Sequence, residues 1–340
     1  MQGKIVKINN LRGGQNSLNT IRLIAALQVL YGHSLTHLQI NMPDVVSGIF
    51  NFFDGVPIFF TLSGFLIWDS VGRSKTFKEY AKKRFWRIYP ELWVAVAVEI
   101  LVLLILYKQP VNWSQMGLFT IGQTTIFQFW TPEFLRGYGC GTPNGALWTI
   151  CVLIQFYFLA YFIYRLMHGR KMVTWIFLIL FSILVGWITP LVQVHLGETV
   201  GKIYGVTLIP FFWMFIIAAF VAEYKDRILS YIKKYWIIPL ITALIAYITK
   251  IDIKASYNVL FTLTLFVGLL GASYTFKKQN INRDISYGVY IYHMTIVNAF
   301  IQLGLFHSKL YLLAIVIVTL FAAYISTVTI GDWGLKRKYS

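Results

Sequence analysis

Charged residues are scarce in this sequence, and their scarcity defines the class of protein. Only 13% of the 340 residues are Asp, Glu, Lys or Arg, about half the share found in soluble domains, whereas 57% are hydrophobic. Such a chain has too few polar side chains to cover a surface in water. The composition therefore excludes disordered and collagen-like classes. Together with a mean hydropathy of +0.64, it predicts a protein whose main solvent is lipid.

Acidic residues are the rarer of the two charged types. The 13 Asp and Glu compare with 30 Lys and Arg, which gives a formal net charge of +17. In a soluble protein such an excess indicates nucleic acid or another acidic ligand. The basic residues here are scattered over many short segments, so the sequence predicts no nucleic-acid partner. The charge instead follows the pattern of membrane topology.

Cysteine and the common catalytic motifs are also nearly absent. The two cysteines, Cys140 and Cys151, cannot form a disulfide framework. The chain has no phosphate-binding glycine–lysine loop, no GxSxG nucleophile elbow, no HExxH motif and no His and Cys cluster with metal-ligand spacing. We therefore expect no metal site.

Long apolar segments dominate what is present. A bilayer core about 30 Å thick needs about 20 apolar residues per helix, and ten segments satisfy that requirement. The sequence predicts an all-α polytopic membrane protein with a bundle of about ten transmembrane helices. We expect a single domain over residues 1–340, with no appended soluble domain. The ten segments are residues 20–40, 48–71, 88–107, 145–166, 173–195, 203–224, 235–249, 256–276, 286–306 and 310–330.

The basic residues alternate between the connections and so test the topology independently. The connections on one side, both termini included, carry 23 of the 30 Lys and Arg; those on the other side carry six, and Arg22 lies within the first segment. By the positive-inside rule, both termini are predicted to be cytoplasmic. The longest connection, residues 108–144, then lies outside, and loops of that length are usually functional.

Two ionisable residues of the first segment share one face of a helix. Arg22 and His33 are eleven residues apart, which places them on the same stripe with an axial separation of about 16 Å. One interpretation is a polar passage with a permanent cation near the cytoplasm and a titratable base deeper in. The other is that Arg22 extends to lipid headgroups and His33 bonds to a neighbouring helix. Spacing alone favours the second.

The most basic stretch of the chain precedes the third segment. Arg84 and Arg87 are one helical turn apart there, so their guanidinium groups can hold one phosphate from the same side. Anchoring to anionic lipid explains the same charges equally well.

Carboxylates and small residues mark further positions at membrane depth. Asp54 lies near the outer entry of the second segment, and Glu99 lies deep in the third without a sequence-local partner. We expect Glu99 to pair with a His or Arg of another helix. The Ser63–Gly64 pair allows either a ligand or another helix to approach closely.

A polar and aromatic helix end occurs late in the chain. The sequence SYGVYIYH places Tyr290 and His293 near the start of the ninth segment. These side chains can line a ligand site, although tyrosine at a membrane interface is commonly an anchor.

Taken in order, four patches resemble the acyltransferase-3 family, which consists of integral membrane enzymes that modify carbohydrates. The first patch is SLNTIRLIAALQVLYGH, in which ten residues separate Arg22 from His33. The others are VPIFFTLSGFLI, the RxxR of KKRFWRIYP, and NGALWTICVLIQFYF, and the late SYGVYIYH is also similar. The resemblance covers essentially the whole chain.

The resemblance implies transfer of an acetyl group from cytoplasmic acetyl-CoA to a carbohydrate hydroxyl at the outer side of the cell's inner (plasma) membrane. The resembling enzymes include O-antigen and polysaccharide O-acetyltransferases. Acetyl-CoA is then a donor substrate, no cofactor is bound permanently, and the other partners are the carbohydrate and membrane lipids. The acceptor sugar, its hydroxyl position, the length of the acyl group and the oligomeric state are left open.

The resemblance also implies roles for particular residues. The resemblance favours a catalytic interpretation of His33 and Arg22. Our hypothesis is that neutral His33 is the general base, and that Arg84 and Arg87, with Arg22 at the inner mouth, hold the CoA phosphates. Direct transfer to the hydroxyl and transfer through an acyl-histidine are both open. The residues expected to line the pocket or contact the acceptor are Ser63, Gly64, Trp148, Tyr157, Tyr290 and His293.

The chain departs from the family pattern at two carboxylates. Five residues after Trp148 the family usually has Glu, and this chain has Leu153; an Asp often found near the first patch is replaced by Asn19. The carboxylate expected to orient the catalytic histidine is therefore absent. Glu99 or Asp54 is the candidate replacement, unless the chain works without one or has reduced activity.

Two other functions compete with acyl transfer. A secondary transporter or flippase of a lipid-linked sugar also has buried Arg and His, but the sequence shows no two halves with matching interrupted helices. An inactive structural partner is supported only by the missing glutamate.

Overall fold

The computed structural model describes residues 16–276 and 283–338, which form α-helices with short 3₁₀ and π turns and no β-strand. The apolar runs form helices because backbone groups in lipid must pair within their own segment, and a helix makes these hydrogen bonds internally. The helices are α1 Leu18–Leu38, α2 Asp44–Phe52, α3 Gly55–Gly72, α4 Phe77–Leu106, α5 Trp113–Thr124, α6 Trp148–Met167, α7 Met172–His195, α8 Gly197–Gly205, α9 Phe212–Glu223, α10 Lys225–Tyr235, α11 Ile237–Thr249, α12 Val259–Thr275, α13 Ser286–Gln302, α14 Lys309–Ser326 and α15 Asp332–Lys338.

The structure confirms an all-α polytopic membrane protein. Within the described residues, five helical stretches are long and apolar enough to cross a membrane, and seven are if each of two bent pairs is one span. The bent pairs combine α8 with the segment Ile209–Glu223, at 48°, and α10 with α11, at 68°. The other three predicted segments correspond to α1, α12 and α13, which are shorter or more polar. The count of ten and the cytoplasmic termini stay predictions.

The third predicted segment is part of a longer helix. Helix α4 begins eleven residues earlier than the predicted start, because the Thr76 hydroxyl accepts a hydrogen bond from the Glu79 backbone N–H and caps the basic stretch. Arg84 and Arg87 therefore lie inside a helix rather than in a connection. Pro90 also lies within α4.

The chain divides into two compact units. The first unit contains residues up to 25, 55–73 and 160–284; the second contains residues 26–54, 74–159 and 285–340. The prediction of a single domain over the whole chain is not tested by this division.

In the first unit, α3 packs closely against α9. A Cβ atom on Gly64 would lie 2.9 Å from the Phe215 carbonyl oxygen and 3.0 Å from the Ala218 Cβ, so only glycine permits this approach. Near the end of α3, the Glu223 carboxylate accepts hydrogen bonds from the Trp68 indole and the Gly169 backbone N–H. These contacts fix the helix ends of this unit.

In the second unit, Asn298 of α13 fastens the long loop that precedes α6. Its amide group donates to the carbonyl oxygens of Thr142 and Pro143 at 2.9 and 2.7 Å, and its Oδ1 accepts from the Cys140 N–H at 2.8 Å. Gly139 has φ +56°, and a Cβ there would lie 2.0 Å from Asn298 Oδ1. The loop is therefore held against α13 by a fully buried side chain.

Candidate active site

The side chain of His33 bonds to a second imidazole in the second unit. His33 Nδ1 lies 2.9 Å from His293 Nε2, and the two rings are nearly parallel with their centroids 5.2 Å apart. His293 Nδ1 lies 2.7 Å from the Tyr290 carbonyl oxygen. His37, one turn further along α1, lies with its ring centroid 5.8 Å from that of His33. Two residues 260 positions apart thus form one histidine pair.

The two histidines differ in their exposure. His293 is completely buried, whereas His33 keeps part of its surface accessible. A reacting molecule can therefore contact His33, whereas His293 lies behind it. Of the two rings of the pair, the imidazole on α1 is therefore the accessible one.

Tyr290 is anchored to the start of α6. Its hydroxyl lies 2.7 Å from the Thr149 Oγ1 and donates to the Ala146 carbonyl oxygen at 3.2 Å. These bonds hold the turn of α13 whose carbonyl contacts His293. In the structure, Tyr290 therefore supports the histidine pair.

Glu99 is buried beside the loop that precedes α6. Its neighbours are Asn144 and Tyr138, and Asn144 donates its amide to the Ile291 carbonyl oxygen at 2.9 Å. Burial and the nearby Glu99 carboxyl raise the pKa of the Tyr138 phenol to about 12. The described contacts of His33 lead to His293 and not to Glu99. The prediction that Glu99 orients His33 has no contact to support it.

Arg84 and Arg87 project from α4 toward aromatic rings of the second unit. The Arg84 guanidinium carbon lies 5.4 Å from the centre of the Tyr157 ring, and that of Arg87 lies 5.8 Å from the Tyr287 ring. Arg87 also pairs with Glu91 one turn later, at 3.7 Å.

Arg22 belongs to the first unit and pairs there with Asp284. Both side chains are largely buried, at 21% and 14% exposure. The charge of Arg22 is thus balanced by a carboxylate just before α13, a partner that sequence spacing did not identify. Its catalytic role stays a prediction.

The remaining predicted site residues have simpler surroundings. Gly64 serves the packing of α3 on α9, with Ser63 beside it in the same helix. Asp54 lies between α2 and α3, and Trp148 begins α6. Whether these residues line a pocket stays a prediction. Within residues 16–276 and 283–338, no three His, Cys, Asp or Glu side chains are grouped so that they could hold a metal ion.

A family model described as an acyltransferase domain matches residues 15–330, most of the chain. The chain belongs to the acyltransferase-3 family. The acyltransferase is also 27% identical, over 320 residues, to nodulation protein 10 of Rhizobium leguminosarum bv. viciae. That alignment covers 86% of this chain and 85% of the relative. No solved structure matches the acyltransferase.

Several residues that contact the predicted site residues are not among those that the sequence predicts. Asn144 and Thr149 lie within the NGALWT patch, so a closer look at the polar residues of that patch could have found them. Tyr287 belongs to the polar and aromatic SYGVYIYH patch, whereas Asp284, just before α13, is indistinguishable from an ordinary helix-end residue. Only the folded chain shows that they contact arginines.

Proposed function

We propose that the acyltransferase moves an acetyl group from cytoplasmic acetyl-CoA to a carbohydrate hydroxyl at the outer side of the plasma membrane. Membership of the family supports acyl transfer in general. The observation that carries the finer proposal is His33, an accessible imidazole within an apolar helix, held from behind by a buried partner. Ionisable residues within transmembrane segments are rare and usually functional.

The reaction requires one proton transfer in each direction. Neutral His33 accepts the proton of the acceptor hydroxyl while the hydroxyl oxygen attacks the thioester carbonyl carbon. When the carbon–sulfur bond breaks, the protonated imidazole returns the proton to the departing CoA thiolate. The products are the carbohydrate ester and CoA thiol, with no net change in protons. General-base catalysis of this kind contributes about 10²–10⁴ in rate.

The charged end of the donor does not enter lipid, because burying phosphate charges without partners is costly. Arg84 and Arg87 are the proposed partners of the CoA phosphates. Their guanidinium groups lie over the rings of Tyr157 and Tyr287, and guanidinium groups match phosphate oxygens in pairs. The slender acylated arm is the part proposed to reach His33.

The acceptor is proposed to be a polysaccharide or a lipid-linked sugar. Aromatic side chains suit the apolar faces of sugar rings, and Trp148 is a candidate of this kind. An acyl-histidine relay uses the same imidazole as nucleophile and is distinguished by an acetylated His33 intermediate.

The proposal is tested with purified acyltransferase in lipid nanodiscs, radiolabelled acetyl-CoA and a bacterial polysaccharide acceptor. We expect label on the polysaccharide that is released by mild base, with free CoA in equal amount. Omitting the polysaccharide should stop CoA release beyond slow hydrolysis. Sugar crossing the membrane of proteoliposomes without consumption of acetyl-CoA would instead identify a transporter and contradict the proposal.

A further inference from the structure

We propose that His293 is the residue that positions His33, in the place of the carboxylate that the chain lacks at position 153. The inference rests on the proposed function, since it concerns the base of that reaction. It goes further by stating which nitrogen of His33 is basic and what fixes it.

The donor and the acceptor in the two hydrogen bonds of His293 can be assigned, because one of its partners is a carbonyl oxygen. The Tyr290 carbonyl oxygen only accepts, so His293 Nδ1 must carry the proton of their 2.7 Å bond. In the neutral ring, His293 Nε2 then has a lone pair. The 2.9 Å bond to His33 therefore has His33 Nδ1 as donor. His33 Nε2 is left unprotonated and is the basic atom.

The rings of His293 and His33 differ in burial and therefore in their roles. His293 is fully buried and offers no accessible surface to a substrate in this structure. The carbonyl oxygen of Tyr290 accepts the bond from His293, and the Tyr290 hydroxyl contacts Thr149 and Ala146, which limits movement of this turn of α13. His293 is thus a positioning residue, and His33 is the catalytic one.

The pair also explains how the positive charge of protonated His33 is stabilised without a carboxylate. Once His33 Nε2 has taken the hydroxyl proton, the positive ring still donates from Nδ1 to His293 Nε2. That lone pair stabilises the charge in the way that an orienting carboxylate would. Because both rings are neutral before the reaction, the pair avoids burying a permanent charge. An active enzyme then needs no carboxylate at the position of Leu153.

The test compares His293→Ala, His293→Gln and a matched control, His195→Ala, in the transfer assay. His195 is an exposed histidine at the end of α7, and its Nδ1 contacts the Leu191 carbonyl oxygen of its own helix. We expect His293→Ala to lower kcat about 10- to 100-fold, with KM for acetyl-CoA unchanged, because orientation of the base is lost but donor binding is not. The Gln side chain offers an oxygen to the His33 N–H, so His293→Gln should recover part of the rate.

A spectroscopic readout keeps the test independent of activity. In ¹⁵N-histidine-labelled wild-type protein, we expect both rings of the pair to be protonated on Nδ1 and bare on Nε2. The His33 signals are identified by their loss in His33→Ala, and the His293 signals by their loss in His293→Ala. In His293→Ala the His33 ring should lose this preference. A wild-type His33 protonated on Nε2, or a His293→Ala enzyme with wild-type kcat, overturns the inference.

The outcomes separate this inference from the function on which it rests. If His293→Ala keeps its rate and His33→Ala does not, His33 is the base but His293 does not position it. If His33→Ala itself keeps its rate, His33 is not the base and the inference fails with that assignment. If the wild-type protein transfers no acetyl group to the polysaccharide, the proposed function fails. If His293→Ala does not fold, judged by size-exclusion chromatography beside His195→Ala, the wild-type spectrum and His293→Gln decide.

Discussion

Among single residues, the two arginines of α4 have the most sharply defined surroundings. Arg84 lies over Tyr157, and Arg87 is shared between Tyr287 and Glu91. A role in lipid anchoring needs only positive charge, which lysine also supplies. A role in binding a donor phosphate needs the planar guanidinium fork.

We predict that Arg84→Ala combined with Arg87→Ala raises KM for acetyl-CoA at least about 10-fold, because each charge-assisted bond contributes about 1.5–3 kcal/mol. The turnover number at saturation should change much less. Initial rates against acetyl-CoA concentration measure both values. The control is Lys82→Ala, which removes an exposed charge from the same helix. An unchanged KM in the double variant would show that the pair serves as a lipid anchor.

Sequence spacing predicted part of this arrangement. It placed Arg84 and Arg87 one turn apart, because that follows from helix geometry alone. It did not predict the partners of Arg87 and Arg22, since Tyr287 and Asp284 are about 200 and 262 positions away. A pairing over such distances is set by tertiary packing, which one sequence does not encode in any local pattern.

Among the helices, the contact of α3 with α9 depends on Gly64. We predict that Gly64→Ala destabilises the acyltransferase by about 1–3 kcal/mol, because the added methyl meets the backbone of Phe215 and packing must give way. Thermal unfolding in detergent measures the loss. Gly117→Ala is the matched control, since a Cβ on this glycine of α5 has no heavy atom within 4 Å. Equal melting temperatures for both variants would refute close packing at Gly64.

The loop before α6 is held against α13 by the side chain of Asn298. We predict that Asn298→Ala loosens residues 139–144, because the Cys140 N–H and the Thr142 and Pro143 carbonyls lose their partner. Each buried group left unpaired costs about 1–3 kcal/mol. Limited proteolysis should cut this loop faster than in wild type. A loop as resistant in Asn298→Ala as in wild type would contradict the prediction.

Periodicity and hydropathy predicted where helices occur, but less well where they begin. The start of α4 was placed at Ile88, because hydropathy ignores the cap at Thr76 and the helical basic stretch that follows it. The bends at 48° and 68° were also missed, since a window of 20 residues averages over a break of a few residues. At Gly64 the structure shows a close approach by another helix, which is one of the two alternatives that the small Ser63–Gly64 pair allows.

For the whole molecule, the distribution of basic residues makes a prediction about sidedness. The cytoplasmic assignment of the stretch 73–87 follows from its seven Lys and Arg, and the loop 108–144, with only two, is assigned to the outside. The family match and the helices support a membrane enzyme. They do not bear on sidedness.

We predict that Glu133→Cys reacts with a membrane-impermeant maleimide in intact cells, whereas Lys82→Cys reacts only after lysis. Both positions are exposed. The background for each is Cys140→Ser with Cys151→Ser, which should not label. The reverse pattern would invert the topology and place Arg84 and Arg87 on the side without acetyl-CoA.

The most direct measurement of the catalytic role of His33 is the transfer rate of the His33→Ala enzyme in nanodiscs, beside wild type and His195→Ala. The predicted result is a transfer rate about 10²–10⁴-fold lower than that of wild type, with acetyl-CoA still bound. The His195→Ala enzyme should keep the wild-type rate. A His33→Ala enzyme that acetylates the polysaccharide at close to the wild-type rate would contradict it.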